Sequence, residues 1–167
     1  MPFTLPMPEP FADHAVVRAS VGYTRSVHEP LEVFSTSVAL GYGLGAGVVP
    51  ELELFVEAPR GTKDEVPART LGGGGSLNMR WYALRSEPLS AWTEWGVGPV
   101  VYGAPFPPGG SQINFSSHVG VGLAPRIHGH SAQVGVNFRH VSNAGLFGEG
   151  NPGLDAVLVS VGWATPW

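Results

Sequence analysis

Apolar and polar residues alternate with a period of two along most of this chain, and that pattern limits what it can fold into. Side chains of a strand point alternately to opposite faces, whereas a helix repeats its apolar face every three to four residues. Eight runs carry the alternation. Val17, Ala19, Val21 and Tyr23 alternate with Arg18, Ser20 and Gly22; residues 25–30 read as a turn. Phe34, Val38, Leu40 and Tyr42 then oppose Ser35 and Ser37, and glycines 41, 43, 45 and 47 break the run. Leu52, Leu54 and Val56 alternate with Glu51, Glu53 and Glu57, and residues 58–70 read as a charged, Pro-containing loop. Leu77, Met79 and Trp81 oppose Asn78, Arg80 and Tyr82, followed by a short connection at residues 86–88. Ala91, Thr93, Trp95, Val97 and Val101 oppose Trp92, Glu94, Gly96 and Gly98, and a turn-rich loop covers 103–111. Ile113, Phe115, Val119, Val121 and Leu123 oppose Asn114, Ser116, His118 and Gly120. Val134, Val136 and Phe138 alternate with Gln133, Gly135, Asn137 and Arg139. Val157, Val159, Val161 and Trp163 oppose Leu158, Ser160, Gly162 and Ala164, ahead of a terminal Trp167.

Eight runs of roughly ten residues are the signature of a small membrane barrel. The apolar phase is almost free of charge, while the other phase holds Arg18, Glu51, Glu53, Arg80, Glu94 and Arg139 among glycines. A narrow interior filled with paired side chains requires that composition, and eight strands leave no aqueous channel. Connections after the first, third, fifth and seventh runs are mostly longer or more polar, so with periplasmic termini the longer loops fall outside the cell. The expected fold is all-β: an eight-stranded antiparallel up-and-down transmembrane β-barrel, one domain over residues 1–167. No apolar run is long enough for a transmembrane helix. Residues 1–12, MPFTLPMPEPFA, are Pro-rich and lack the basic region of a secretory signal. A soluble lipocalin-like barrel or sandwich is the competing fold, because alternation also suits a sheet with one wet face.

Composition removes several functions. The net charge is −4 with a single lysine, Lys63, which argues against a nucleic-acid partner. There is no cysteine, so thiolate chemistry, disulfides and Cys-based zinc sites are excluded.

The chemistry-bearing residues concentrate in FRHVSNAGLFGEGNPGLD, residues 138–155. His140 and Ser142 continue the outward phase of Val134, Val136 and Phe138, and Asp155 lies on the outward phase of the last run. Antiparallel neighbours joined by residues 143–153 bring the three side chains to one face near the loop end. Their types fit a base, a nucleophile and an orienting acid. Asn143 could donate from its side chain, and the small Ala144 and Gly145 let backbone N–H groups face a tetrahedral oxyanion. Glu149 competes for the acid role, but sits mid-loop between two glycines. By itself His-x-Ser is a weak motif, and a polar strand terminus with an Asn-containing turn reads equally well.

RHVSNAG followed by NPGLD resembles the PagL family of lipid A deacylases, whose motif near the C-terminus reads His-x-Ser-Asn-Ala-Gly, then Asn-x-Gly, then an acid. The resemblance covers about eighteen residues. It implies an outer-membrane barrel whose Ser–His–acid triad faces the membrane and hydrolyses the ester-linked acyl chain at the 3-position of lipid A. His140 would then be the general base, Ser142 the nucleophile and Asp155 the orienting acid, with Asn143 and Gly145 at the oxyanion. Two departures stand out: the best-known members carry Glu at the acid position, and the intervening loop is about one residue longer here.

The resulting expectation is a serine esterase, a lipid A 3-O-deacylase needing no cofactor and no metal. It would sit in the bacterial outer membrane with its site at the outer leaflet. Expected partners are lipid A or lipopolysaccharide and outer-membrane lipids, with a homodimer as candidate assembly. A non-enzymatic structural or adhesion barrel and a soluble lipid-binding barrel are the alternatives. Gly72–Gly75 lacks the Lys-Ser/Thr of a phosphate loop and reads as strand entry. His128 and His130 read as solvated turn residues without a third metal ligand, and His118 as a hydrogen-bonded lumen residue.

Overall fold

A computed structural model describes residues 13–85, 88–147 and 152–166. The Pro-rich start, Glu149, Asn151, Trp167 and most of the 86–88 connection lie outside the described residues. The strands are β1 (Ala15–Ser26), β2 (Leu31–Tyr42), β3 (Val48–Lys63), β4 (Val66–Arg69), β5 (Gly72–Arg85), β6 (Leu89–Tyr102), β7 (Ile113–Ile127), β8 (His130–Ser142) and β9 (Leu154–Pro166). Every pairing is antiparallel, and β2 pairs with β3 while β9 pairs with β1, so the sheet closes. Eight strands form the barrel. The ninth, β4, is a short partner for the end of β3, with Arg60 opposite Arg69 and Lys63 opposite Val66. Residues 58–70 are therefore mostly a hairpin that prolongs the wall, not a loop. Their charges mask the alternation because this part of the wall stands at the polar rim.

The alternation maps onto the barrel as expected. Val21, Leu40, Leu54, Leu77, Val121 and Val136 are exposed on the outside, with their neighbours forming a continuous apolar belt. Soluble proteins rarely expose more than a few hundred Å² of contiguous apolar surface. The belt therefore needs lipid, and a soluble lipid-binding barrel, with its apolar phase inside, does not fit. Tyr42, Trp81 and Trp163 stand on the outer phase towards the terminus-bearing end, as an interfacial aromatic girdle does.

The lumen carries the paired charges. Arg18 donates to Glu51 at 2.7 Å and Arg80 to Glu94 at 2.5 Å; Arg139 donates to Glu57 at 2.7 Å. His118 lies 3.8 Å from Glu94, inside the barrel. Arg80 also packs its guanidinium 4.1 Å from the centre of the Trp92 ring. Glycine in the inner phase makes room for that ring, since a Cβ at Gly122 or Gly135 would lie 2.1 or 2.5 Å from its atoms. The remaining central space, about 60 Å³, is too small for a channel.

The inner phase is not uniformly polar, however. Leu31, Val33, Val100, Tyr102, Phe106, Val141 and Leu154 close the loop end of the lumen with an apolar layer. Val16, Val49, Tyr82, Trp92 and Ala164 close the other end. Phe106 comes from the β6–β7 connection and folds inward, and Asn114 holds that connection by donating to the Phe106 carbonyl at 2.8 Å. The charged layer thus lies between two apolar layers, which strengthens its ion pairs and raises the cost of breaking one.

Candidate active site on the outer wall

β8 and β9 bring the candidate residues together through their register. His140 stands directly opposite Asp155, and Phe138 opposite Val157 one outward step further down the wall. Their side chains meet: His140 Nδ1 lies 2.7 Å from Asp155 Oδ1. A carboxylate only accepts, so Nδ1 carries the proton, and in the neutral ring Nε2 has the lone pair. The pair is half-buried, with side-chain exposures of 43% and 41%. Asp155 is fixed from its other side as well, because its carbonyl accepts the Val27 N–H at 2.9 Å.

Ser142 is the next outward residue after His140 and the last of β8. It is 8% exposed and stands opposite Phe115 of β7. Among the described residues no hydrogen bond joins its hydroxyl to His140, so two of the three expected partners touch and the third lies beside them on the same face. Immediately after Ser142 the chain turns sharply: Ala144 and Gly145 have φ of 54° and 72°, both left-handed. Gly145 N–H donates to Asn143 Oδ1 at 2.8 Å, and Leu146 N–H to the Asn143 carbonyl at 3.0 Å. Asn143 Nδ2 donates to the Phe147 carbonyl at 3.1 Å. To serve an oxyanion, the Gly145 N–H would first have to leave Asn143.

Two contributors escaped the sequence reading. Gly153 lies against the imidazole: a Cβ there would come within 2.9 Å of His140 Cε1. Phe147 stacks on Phe115, centroids 6.4 Å apart, beside the serine. The Pro-Gly pair signals a turn but not what the turn faces, and the Phe115 contact depends on a β7–β8 register that no local pattern reveals. Elsewhere, His130 is not merely a solvated turn residue. It begins β8, lies 3.2 Å from Thr165 Oγ1 and packs against Trp163.

Fold and site together define a small outer-membrane-type β-barrel with a polar pair set into the rim of its apolar wall. Residues 55–164 match the family described as lipid A 3-O-deacylase (PagL), and the chain belongs to that family. Among solved structures it is similar to the outer-membrane enzyme PagL, with 19% identity and a TM-score of 0.64 over 91% of this chain and 99% of that one. It is equally similar in fold to Neisserial surface protein A, with 12% identity and a TM-score of 0.64 over 92% and 96% of the two chains. The N-terminal β-barrel domain of Pseudomonas aeruginosa OprF follows at 19% identity and 0.52, over 89% and 96%. A comparison with curated proteins finds no match. The equal scores for PagL and the surface protein show that backbone shape alone does not select a function.

Proposed function

We propose that this barrel is a lipid A 3-O-deacylase that works as a serine esterase from the outer leaflet of the outer membrane. The observation that carries the reading is the His140–Asp155 hydrogen bond on the outward face, beside Ser142, in a chain of the PagL family. Asp155 holds the imidazole with Nδ1 protonated, so Nε2 is the base. As the Ser142 oxygen attacks the acyl carbonyl carbon, its proton passes to Nε2, and Asn143 stabilises the oxygen that becomes negative. Collapse breaks the ester C–O bond, and the sugar hydroxyl leaves with the proton from His140. Water, deprotonated by the same nitrogen, then cleaves the acyl-serine and releases the fatty acid.

The test is lipid A mass spectrometry with purified barrel in detergent, reading loss of one 3-hydroxy acyl chain. Ser142→Ala and His140→Ala are expected to fold as heat-modifiable barrels without activity. Wild-type turnover by either variant refutes the mechanism, and an inactive wild type favours the non-enzymatic barrel.

A further inference from the structure

One outward row crosses four strands at the loop end of the barrel. Arg25 of β1 stands opposite Glu32 of β2, Glu32 opposite Arg60 of β3, and Arg60 opposite Arg69 of β4. The row holds three cations and one anion, and that anion is already engaged. Glu32 Oε1 accepts the Tyr23 hydroxyl at 2.8 Å, and Oε2 accepts Arg60 at 3.3 Å. Arg60 is held further by Phe34, whose ring centre lies 4.8 Å from its guanidinium carbon. Arg25 and Arg69 are exposed and have no ion-pair partner among the described residues.

The row is joined to the candidate active site through β9. Arg25 stands opposite Val157, the outward residue that follows Asp155. Two strand spacings and one two-residue step separate Arg25 from His140, about 12 Å between backbones. Below the row, between β1, β2 and β9, the outer wall has an open apolar groove lined by Val21, Tyr23, Phe34, Val159 and Val161. Cations above an apolar groove match an amphiphile that carries anionic groups on its head and acyl chains beneath. Guanidinium recognises phosphate through paired hydrogen bonds, and more strongly where lipid excludes water.

We propose that Arg25, Arg60 and Arg69, with the groove beneath them, form a subsite for a phosphomonoester of the glycolipid substrate and one of its acyl chains. The subsite would present the scissile ester at Ser142. It rests on the deacylase reading for its substrate, but its charge dependence can be measured without catalysis.

The first arm measures binding of bisphosphorylated and fully dephosphorylated lipid A to the Ser142→Ala barrel in zwitterionic micelles. Tighter binding of the phosphorylated form is expected, and Arg25→Gln/Arg69→Gln in that background should weaken it by roughly tenfold, as loss of charge-assisted contacts does. The second arm measures hydrolysis. For wild type the KM ratio of dephosphorylated to bisphosphorylated substrate should exceed one, and for Arg25→Gln/Arg69→Gln it should fall towards one. Arg126→Gln, at the opposite end of β7, should leave the ratio unchanged. Both arginines are exposed, so folding should survive; Arg25→Gln alone provides a milder variant, with a smaller fall expected. Equal binding of the two lipids, or a ratio unaffected by the arginines, overturns the proposal while leaving a working deacylase intact. Competition by inorganic phosphate without any dependence on the lipid's own phosphate also overturns it. Phosphate- and arginine-dependent binding by a barrel that hydrolyses nothing would refute the deacylase reading and keep the subsite.

Discussion

Replacing Arg139 by leucine should destabilise the barrel strongly. Arg139 makes two hydrogen bonds to Glu57, at 2.7 and 3.2 Å, and a third to Ser116 at 2.8 Å. All three residues are buried between the two apolar layers. Without the guanidinium, the Glu57 carboxylate keeps only the Tyr102 hydroxyl as a donor among the described residues. Breaking a buried pair from one side costs about 3–5 kcal/mol, mostly from stranding the partner. Replacing both members by apolar residues is far milder, and the Phe106–Tyr102–Val100 layer lies ready to pack against them. Arg139→Leu should therefore lose about 3–5 kcal/mol, while Glu57→Leu/Arg139→Leu should lose clearly less than the two single variants summed. Urea unfolding in lipid vesicles, followed by the fluorescence of the five tryptophans, reads both quantities. If Arg139→Leu unfolds within about 0.5 kcal/mol of wild type, or the two losses simply add, the lumen pair is not coupled as its geometry requires.

Three further outcomes are expected. Val136→Arg, on the lipid-facing wall, should cost about 2–4 kcal/mol of folding free energy in bilayers, and Asn137→Arg less unless packing forbids it; equal folding of Val136→Arg and wild type would reverse the phase assignment. Asp155→Asn should lower kcat by orders of magnitude, Asp155→Glu should keep part of it, and Glu149→Gln should change it little. A large loss in Glu149→Gln with near-normal Asp155→Asn would move the acid to Glu149. Gly153→Ala should displace the imidazole and lower kcat by up to about a hundredfold with little change in KM, since small misplacements of a catalytic group are costly; unchanged turnover would show that the ring has room to move.

Much of the wall was legible because its two solvents differ so sharply. Lipid outside and a narrow polar lumen inside force alternation at Val134–Arg139 and Leu52–Glu57 strongly enough to fix each residue's face. His140 and Asp155 were legible as neighbours for a related reason: strands joined by one connection pair antiparallel, and phase puts both outside. The hairpin at 60–69 was not legible, because above the membrane the outer phase becomes polar and Arg60, Lys63 and Arg69 look like a charged loop. The apolar layers at the lumen ends were hidden too. Val33, Val100, Phe106 and Val141 lie far apart in sequence and become one layer only when the sheet closes. The low exposure of Ser142, opposite Phe115 and ahead of the turn at Ala144–Gly145, was hidden as well.

The same closure favours the outer surface for the proposed chemistry. An eight-stranded barrel has room inside for its own side chains and about 60 Å³ more, so no acyl chain can enter it. On the proposed reading a lipid substrate would instead reach the wall sideways, already oriented by the leaflet around it. Adjacent residues of β8 then divide the work. Arg139 points inward and ties the strand to Glu57 across the lumen; His140 points outward and meets Asp155. The closed ladder transmits the rigidity of the first contact to the second, which a flexible loop could not do. A polar pair in an apolar wall is costly at mid-membrane, and the cost falls near the interface. His140 and Asp155 both stand within two residues of the loop end of their strands, away from the middle of the wall. A deacylase of the proposed kind would need its site at that end, beside the ester bonds of its glycolipid.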